Sequence, residues 1–276
     1  MKLLVVTPTL GESPWLDETV ASVAAFAVPC EHVLVAPSVA VEKLRGRFPN
    51  ATVVPEKNGG MYAAINAGIA ATREWDAFTY LNDDDVLLPD FALVARAAVD
   101  AGARPLIVYG GVRLIDARGR RVGAIPISPS PEINRALYAQ RIEPVYQHGT
   151  VATRAAVEAA GGAFDTALRF CGDSEFLARA CVRGVPFVQT TGREVAAFRL
   201  RAGQLTKNRA AMIAERARVD EKLGLLAPLP AGVLRRARWR FRIANLAIYV
   251  GRIRRHGFVS FDEVLERAGS GVERES

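Results

Sequence analysis

The sequence is poor in cysteine, with only Cys30, Cys171 and Cys181 among its 276 residues. Their odd number and their spacing match neither a disulfide framework nor a zinc site, so we expect free, buried thiols in a reducing compartment. A signal peptide is not predicted, because the N-terminal apolar run reaches only to Thr7-Pro8. Half of the residues are hydrophobic and 24% are charged, which is the balance of a globular chain. These features predict a cytoplasmic protein with a substantial core.

Two nucleotide-binding signatures are also missing. No G-x-G-x-x-G segment follows the first predicted strand, which argues against a dinucleotide-binding site. The loop Thr7–Gly11 has no lysine or arginine, which argues against a nucleotidyltransferase on a related sheet. The alternation of apolar β-prone runs with helical periodicity instead predicts a doubly wound, mostly parallel α/β sheet. Its first elements are predicted strands at residues 2–7, 32–36 and 51–54 and predicted helices at 15–26 and 41–48.

Three consecutive carboxylates follow a later predicted strand. Residues 77–81 are aromatic and β-prone, and they lead into Asn82-Asp83-Asp84-Asp85. Ligands of open α/β sheets bind outside the carboxyl ends of the strands, and carboxylate oxygens are ligands for Mg²⁺ or Mn²⁺. In the alternative interpretation, Asp84 or Asp85 caps a helix that begins near Pro89 and the other acids are solvated. This stretch alone favours neither interpretation.

Three further segments contain candidate functional residues. The Asn-Gly-Gly turn within 56–68 precedes a helix that starts with small residues, so a ligand could approach its backbone amides, although a tight turn before a closely packed helix explains it equally. Asp173 opens a predicted helix, either as its N-cap or as a carboxylate aimed into a cleft. His148 enters a predicted strand, where a structural hydrogen-bonding role is the usual alternative to a functional one.

Taken in order, these segments resemble the family 2 glycosyltransferases, which have the GT-A fold. The similarity spans about residues 3–206. Each motif alone is weak evidence for the family, but the order of the motifs along the chain is specific. It comprises a first strand ending in Thr-Pro-Thr, the segment 56–68, the Asn-x-Asp-Asp strand end, a Gly-Gly-x-Phe-Asp turn at 161–165 and the acid at Asp173. The resemblance implies a GT-A domain, with a doubly wound central sheet flanked by helices.

The resemblance also implies an activity, which is transfer of a sugar from a nucleotide-diphosphate sugar to an acceptor hydroxyl, with inversion and with Mg²⁺ or Mn²⁺ as cofactor. Asp173 matches the general base, and Asp85 matches the acid that binds the metal. Asp83 and Asp84 match positions that contact the ribose, the donor sugar or the metal. The other matched positions are Thr7, Pro8 and Thr9 along the base, Glu56, Gly60 and Asn66 beside the nucleotide and donor, and His148 near the acceptor.

Arg199, Arg201 and Lys207 are candidates for gripping the diphosphate, since a guanidinium fork suits phosphate oxygens. The alternative is that they lie at a solvated strand end.

The chain departs from the family pattern where the donor is recognised. No acid stands in Ala36-Pro37-Ser38, at the end of the second predicted strand, where relatives carry one that recognises the base. Ala63 and Asn58 also stand where acids are common. The donor is therefore less defined than the reaction: UDP is the favoured nucleotide, with dTDP and GDP as alternatives.

We predict three regions: a nucleotide-sugar-binding half at 1–125, an acceptor-binding half of the same domain at 126–225, and a basic helical tail at 226–276. Eight arginines and no acid lie within 233–257, so that removing this segment changes the net charge from +7 to 7 − 8 = −1. The longest uncharged run there, 243–251, is nine residues and too short to span a membrane.

The tail carries an apolar seam at helical spacing. It predicts contact with an anionic membrane surface, at the inner face of the cell membrane, and the alternative is packing on the domain. Nucleic acid is not favoured as a partner. The seam consists of Trp239, Ile243, Leu246, Val250 and Ile253.

The predicted role is synthesis of a polysaccharide or glycolipid, with a glycan or lipid-linked acceptor. The alternative function is a non-catalytic nucleotide-sugar-binding subunit of a glycan assembly complex.

Overall fold

The computed structural model describes residues 2–26, 28–57, 59–201, 209–258 and 263–264. Its first half alternates strands and helices as predicted, because continuous apolar runs form strands that are buried on both faces. The elements are β1 (Leu3–Pro8), α1 (Leu16–Ala25), β2 (Cys30–Ala36), α2 (Ser38–Arg47), β3 (Thr52–Pro55), α3 (Met61–Ala71) and β4 (Ala77–Tyr80).

The remaining elements vary more in length than those of the first half. They are β5 (Val86–Leu87), α4 (Phe91–Asp100), β6 (Ile107–Ile115), β7 (Arg121–Ile125), α5 (Asn134–Tyr138), β8 (Thr150–Thr153), α6 (Arg154–Ala159), α7 (Gly172–Val182), β9 (Phe187–Arg199), α8 (Arg209–Lys222), α9 (Ala231–Ala244) and α10 (Leu246–His256).

The strands form one sheet in the order β3-β2-β1-β4-β8-β6-β9-β5, with β7 paired to β6. β1 is parallel to both β2 and β4, whereas β8 is antiparallel to β4 and to β6. The sequence of residues 112–125 is typical of a hairpin, with a polar turn at 116–119, and β6 and β7 form this antiparallel pair. β8 comes from beyond residue 126 but lies between strands of the first half, and the division of the domain at 125/126 stays a prediction.

The sequence pattern of residues 186–198 predicts two separate strands, at 186–188 and 195–198. The structure has one strand instead, β9, which runs parallel to β6 with register shifts near Gly111. A Cβ at Gly111 would lie 2.8 Å from the Arg193 carbonyl oxygen, so glycine permits this irregular approach.

The core lies on both faces of the sheet. Leu4 and Val6 of β1 face a cluster that includes Ile65 of α3, while the alternating Leu3 and Val5 face a cluster built on α4. The small residues of α3 serve this packing in part, because a Cβ at Gly68 would lie 2.5 Å from Val6.

The capping interpretation of the acidic stretch is wrong. The N-cap of α4 is Asp90, and no side-chain hydrogen bond caps that helix within the described chain. The carboxylates of Asp84 and Asp85 have other partners, and these partners define the site described below.

The basic tail forms two helices rather than one, since the chain breaks at Asn245 between α9 and α10. α9 packs on α5 through Ala237 and Phe241, and Asn245 exchanges hydrogen bonds of 3.1 and 2.8 Å with the backbone of Ile127. In the part of the chain that the structure describes, no helix combines the length and the apolar character needed to cross a membrane.

Candidate active site

The parallel strands β1 and β4 end side by side, and this places Thr9 against the first acid of the cluster. The Thr9 hydroxyl donates a hydrogen bond of 2.6 Å to Asp83 Oδ2, and the Ser13 hydroxyl donates one of 2.8 Å to the Asp83 carbonyl. Burial raises the pKa of the Asp83 carboxyl, although the Thr9 hydrogen bond opposes this. Asp83 is half-buried.

Asp84 is buried and forms an ion pair with the Arg201 guanidinium through Nε. Burial raises the pKa of Asp84 to about 6, repulsion from Asp85 adds to the rise, and Arg201 only partly offsets it. Burial and the neighbouring Asp85 therefore both disfavour the charged form of Asp84.

Asp85 is fully buried, and both of its oxygens contact the protein. Oδ1 accepts a hydrogen bond of 2.9 Å from the Arg199 backbone N–H, and Oδ2 accepts one of 2.9 Å from the Asn82 amide. His148 Nε2 lies 3.3 Å from the same Oδ2. The Asp85 carboxylate thus joins β4 to β9 and to the turn before β8.

Arg199 fits neither of its predicted roles. Its side chain is 1% exposed, so it does not lie at a solvated strand end. Its guanidinium donates to the Asp84 carbonyl at 2.7 Å and to Glu18 at 2.5 Å, and it is therefore engaged in holding the acidic loop rather than directed at a diphosphate.

Arg201 is less buried than Arg199. Its side chain is 32% exposed and lies over the Trp15 ring, 5.8 Å from the ring centroid. Lys207, the third predicted phosphate ligand, lies outside the described residues.

His148 is placed by a 3₁₀ turn at Gln147–Gly149 and not by a strand, which is a correction to its predicted position. Its ring packs 4.5 Å from the Phe198 ring. Burial acts to lower the pKa of His148, but Asp85, with Asp173 and Asp84 beyond it, outweighs burial and raises this pKa above its ordinary value. The His148 imidazole therefore interacts electrostatically with the acidic cluster and with Asp173.

Asp173 is not an N-cap, because Cys171 occupies that position of α7. Its Oδ1 accepts a hydrogen bond of 3.1 Å from the Tyr62 hydroxyl of α3. Gly172 makes this contact possible, since a Cβ there would lie 2.7 Å from the Tyr62 ring. The Tyr62 ring is also stacked on Phe164, at 5.6 Å between centroids.

The residues on either side of Asp173 are held by α8 and by Glu143. Glu215 of α8 accepts hydrogen bonds of 2.7–3.1 Å from the backbone N–H groups of 169–171. Ser174 donates to Glu143 at 3.0 Å, and Arg216 of α8 pairs with the same Glu143 oxygen at 2.7 Å. No pattern in the sequence indicated these partners, because each comes from a distant part of the chain.

Two of the residues predicted to line the donor make structural hydrogen bonds within the protein. Thr7 is fully buried and hydrogen-bonds His32 at 2.9 Å, and burial lowers the pKa of His32 to about 4. The Asn66 amide makes both hydrogen bonds to the Phe164 backbone, at 2.8 and 3.1 Å. Asn66 therefore fits the alternative interpretation, a tight turn before a closely packed helix. Its side chain fixes the 161–165 turn to α3.

The remaining predicted donor residues lie at or near the surface. Pro8 and Glu56 are half-buried, and Gly60 is exposed with a φ of 81° at the start of α3. Asn58, which precedes this turn, lies outside the described residues.

A family model, Glycosyl transferase family 2, matches residues 4–159. The chain belongs to this glycosyltransferase family. It is therefore an enzyme of glycosyl transfer, and the predicted fold and family are confirmed. No curated protein matches its sequence.

Solved structures agree on the GT-A fold of this glycosyltransferase. Residues 1–349 of S. aureus TarS, in complex with UDP-GlcNAc, are 16% identical with a TM-score of 0.65, and the alignment covers 97% of this chain and 79% of that one. The mannosyltransferase PcManGT of Pyrobaculum calidifontis, in complex with GDP-Man and Mn²⁺, is 16% identical with a TM-score of 0.58, covering 99% and 76%.

The acidic cluster fits a divalent cation that is completed by substrate. Among the described residues, no three His, Cys, Asp or Glu side chains are grouped so as to enclose a metal ion by themselves. Mg²⁺, however, is commonly held by one or two carboxylates together with substrate phosphates. A cation would favour the charged forms of Asp83 and Asp84, whose pKa values are raised above the ordinary value mainly by burial.

Proposed function

We propose that this glycosyltransferase transfers a sugar, with inversion, from a nucleotide-diphosphate sugar to a hydroxyl of a glycan or lipid-linked acceptor. The observation that carries the proposal is the presence of an acidic cluster, which His148 approaches to 3.3 Å, and of a second carboxylate, Asp173, which lies in the first turn of α7 and accepts a hydrogen bond from Tyr62. The TarS and PcManGT complexes with UDP-GlcNAc and GDP-Man support a nucleotide sugar as donor. UDP remains the favoured nucleotide, with dTDP and GDP as alternatives.

We place the Mg²⁺ or Mn²⁺ ligands at Asp83 and Asp84 rather than at Asp85. Asp85 is fully buried with both oxygens in contact with protein, so binding a cation would require breaking those contacts. When bound, the cation would neutralise the charge that develops on the diphosphate as it departs. Asp85 supports the loop that carries the two ligands.

The chain's own residues supply the remaining chemistry. Asp173 accepts the proton of the acceptor hydroxyl, a role that typically contributes 10²–10⁴-fold in rate. Arg201, which is partly exposed, releases Asp84 and grips a diphosphate oxygen. His148 is held near both groups, and its raised pKa favours an imidazolium that offsets their negative charge.

Tyr62 is a positioning residue in this scheme. We expect Tyr62→Phe to lower kcat by about tenfold, the scale of a hydrogen bond to a charged group, with donor affinity unchanged. Steady-state kinetics measure kcat, and thermal shift or calorimetry measures donor affinity.

Tyr109→Phe is the matched control, since the buried Tyr109 hydroxyl donates to the Ser128 carbonyl at 3.0 Å, outside the acidic site. An equal loss of kcat in the two variants would show a general packing effect and would remove Tyr62 from this role.

The donor is tested by thermal shift. We expect one class among UDP-, dTDP- and GDP-sugars to raise the melting temperature, and Mn²⁺ to enlarge that shift, because a ligand that binds only the folded state stabilises it by mass action. Free nucleosides at the same concentration are the control. No stabilisation by any nucleotide sugar, with or without Mn²⁺, would contradict the proposed donor class.

The basic tail supports a role in the synthesis of a surface polysaccharide or glycolipid, with the enzyme peripheral on the inner face of the membrane. The competing function, a nucleotide-sugar-binding subunit without turnover, predicts the same thermal shifts but no release of nucleoside diphosphate.

A further inference from the structure

Three residues of the apolar seam are exposed. Trp239, Ile243 and Leu246 are 59%, 66% and 59% exposed, although all three are large and apolar. Isolated exposed apolar residues are common, but these three lie close together along the chain, two on α9 and Leu246 at the start of α10, just after the break at Asn245. α10 has no buried residue among those that the structure describes.

Packing of α9 uses its opposite side. Ala237 and Phe241 are 2% and 5% exposed and contact the α5 cluster. Trp239 and Ile243 each follow one of these by two positions, which is about 200° around an α-helix. The domain thus covers one side of α9 and leaves the seam open.

Arginines flank this seam on both sides. Arg235, Arg236 and Arg242 are exposed, and no acid lies between residues 231 and 257. At helical spacing, Arg235 and Arg242 fall on one side of the Trp239–Ile243 pair and Arg236 on the other. An apolar centre with basic rims is the pattern of helices that lie in an anionic membrane interface.

We propose that this surface, the seam face formed by Trp239, Ile243, Leu246 and the three flanking arginines, binds the surface of an anionic lipid bilayer. The apolar residues enter the boundary between headgroups and acyl chains, and the arginines contact lipid phosphates. A nucleic acid would use the arginines but would offer no burial for Ile243 and Leu246. A lipid-linked acceptor, where the proposed function has one, would then be reached at this surface.

The test is binding of the full chain to vesicles. We expect binding to phosphatidylglycerol–phosphatidylcholine vesicles at low salt, weak binding to phosphatidylcholine alone, and loss of binding as salt is raised. Trp239 fluorescence should shift to shorter wavelength on binding. Trp239→Phe should bind and lose that shift, which assigns the signal to the seam.

The double variant Trp239→Glu with Ile243→Glu should lower vesicle binding by at least about tenfold. Val39→Glu is the matched control, since Val39 is 96% exposed on α2 and should have no effect. Unchanged circular dichroism and melting temperature establish that the double variant is folded, as expected for exposed positions.

Three results would overturn the proposal: no binding of the wild type to anionic vesicles, equal binding by the double variant, or binding to an RNA or DNA oligonucleotide in place of vesicles. The assay contains neither donor nor acceptor. Its failure therefore leaves the proposed transfer reaction standing, and failure of the transfer assay leaves the vesicle result standing.

Discussion

Asp173→Asn is expected to lower kcat by roughly 10²–10⁴-fold while leaving donor affinity nearly unchanged. The amide has almost the shape of the carboxylate and can still accept the Tyr62 hydrogen bond, but it cannot take the acceptor proton. Turnover under saturating donor, together with donor affinity from thermal shift or calorimetry, separates the two quantities.

The control is Glu158→Gln, which removes an exposed carboxylate on the neighbouring α6 and should have no effect. Normal turnover in the Asp173→Asn enzyme would remove Asp173 as the base. Loss of donor binding instead would place it at the donor.

Asp84→Asn is expected to abolish the dependence of activity on Mn²⁺ and to lower kcat by about 10²–10³-fold, the scale of losing one electrostatic partner of a developing charge. The Mn²⁺-dependent part of the thermal shift with donor should disappear as well. Asp100→Asn, an exposed acid at the end of α4, is the control. An Asp84→Asn enzyme that retains full Mn²⁺ dependence would refute this assignment of the ligand.

Without ligands, the stability of the same variant relative to the wild type should rise with pH. The pKa of Asp84 is about 6 in the folded chain against an ordinary 3.8, so the folded state holds a proton that the unfolded state has released between these values. The contribution of Asp84 to stability therefore falls as pH rises through that window. Asparagine does not titrate, so the melting temperature of the variant minus that of the wild type should be greater at pH 8 than at pH 4, by an amount on the order of 2–4 °C.

The elements of the fold followed from local pattern. Apolar runs and helical periodicity predicted the first three strands and the helices between them within a few residues, because β1 and β2 are continuous apolar runs and the helices show one apolar side. β9 was predicted as two strands, since Thr190-Thr191-Gly192 interrupts its apolar pattern while tertiary pairing with β6 keeps the chain extended.

The residue types of the site also followed from sequence, but their orientations did not. Three adjacent aspartates look equivalent in a sequence. Asp85 differs because its Oδ1 meets the backbone N–H of Arg199, which lies 114 residues later. Arg199 is buried for the same reason, since Glu18 and the acidic loop supply its partners. Contacts of this range leave no local signal.

The basic tail packs on the domain through a residue that lies off the predicted seam. Spacing predicted one seam from Trp239 to Ile253, but the chain forms two helices that meet at Asn245, and spacing could not show which side of α9 meets the domain. Phe241 forms the packing contact, because α5 presents a complementary apolar surface to it. Trp239 and Ile243 are left exposed, so the packing alternative describes Phe241 and not these two residues.

The central claim is most directly tested by release of nucleoside diphosphate from the donor identified by thermal shift, with an acceptor pool and Mn²⁺ present. The account predicts release by the wild type, strong inhibition by a metal chelator, and almost none by Asp173→Asn at equal donor occupancy. Tight donor binding without release from any acceptor pool, and without hydrolysis, would contradict it and would identify a subunit that binds nucleotide sugars without transferring them.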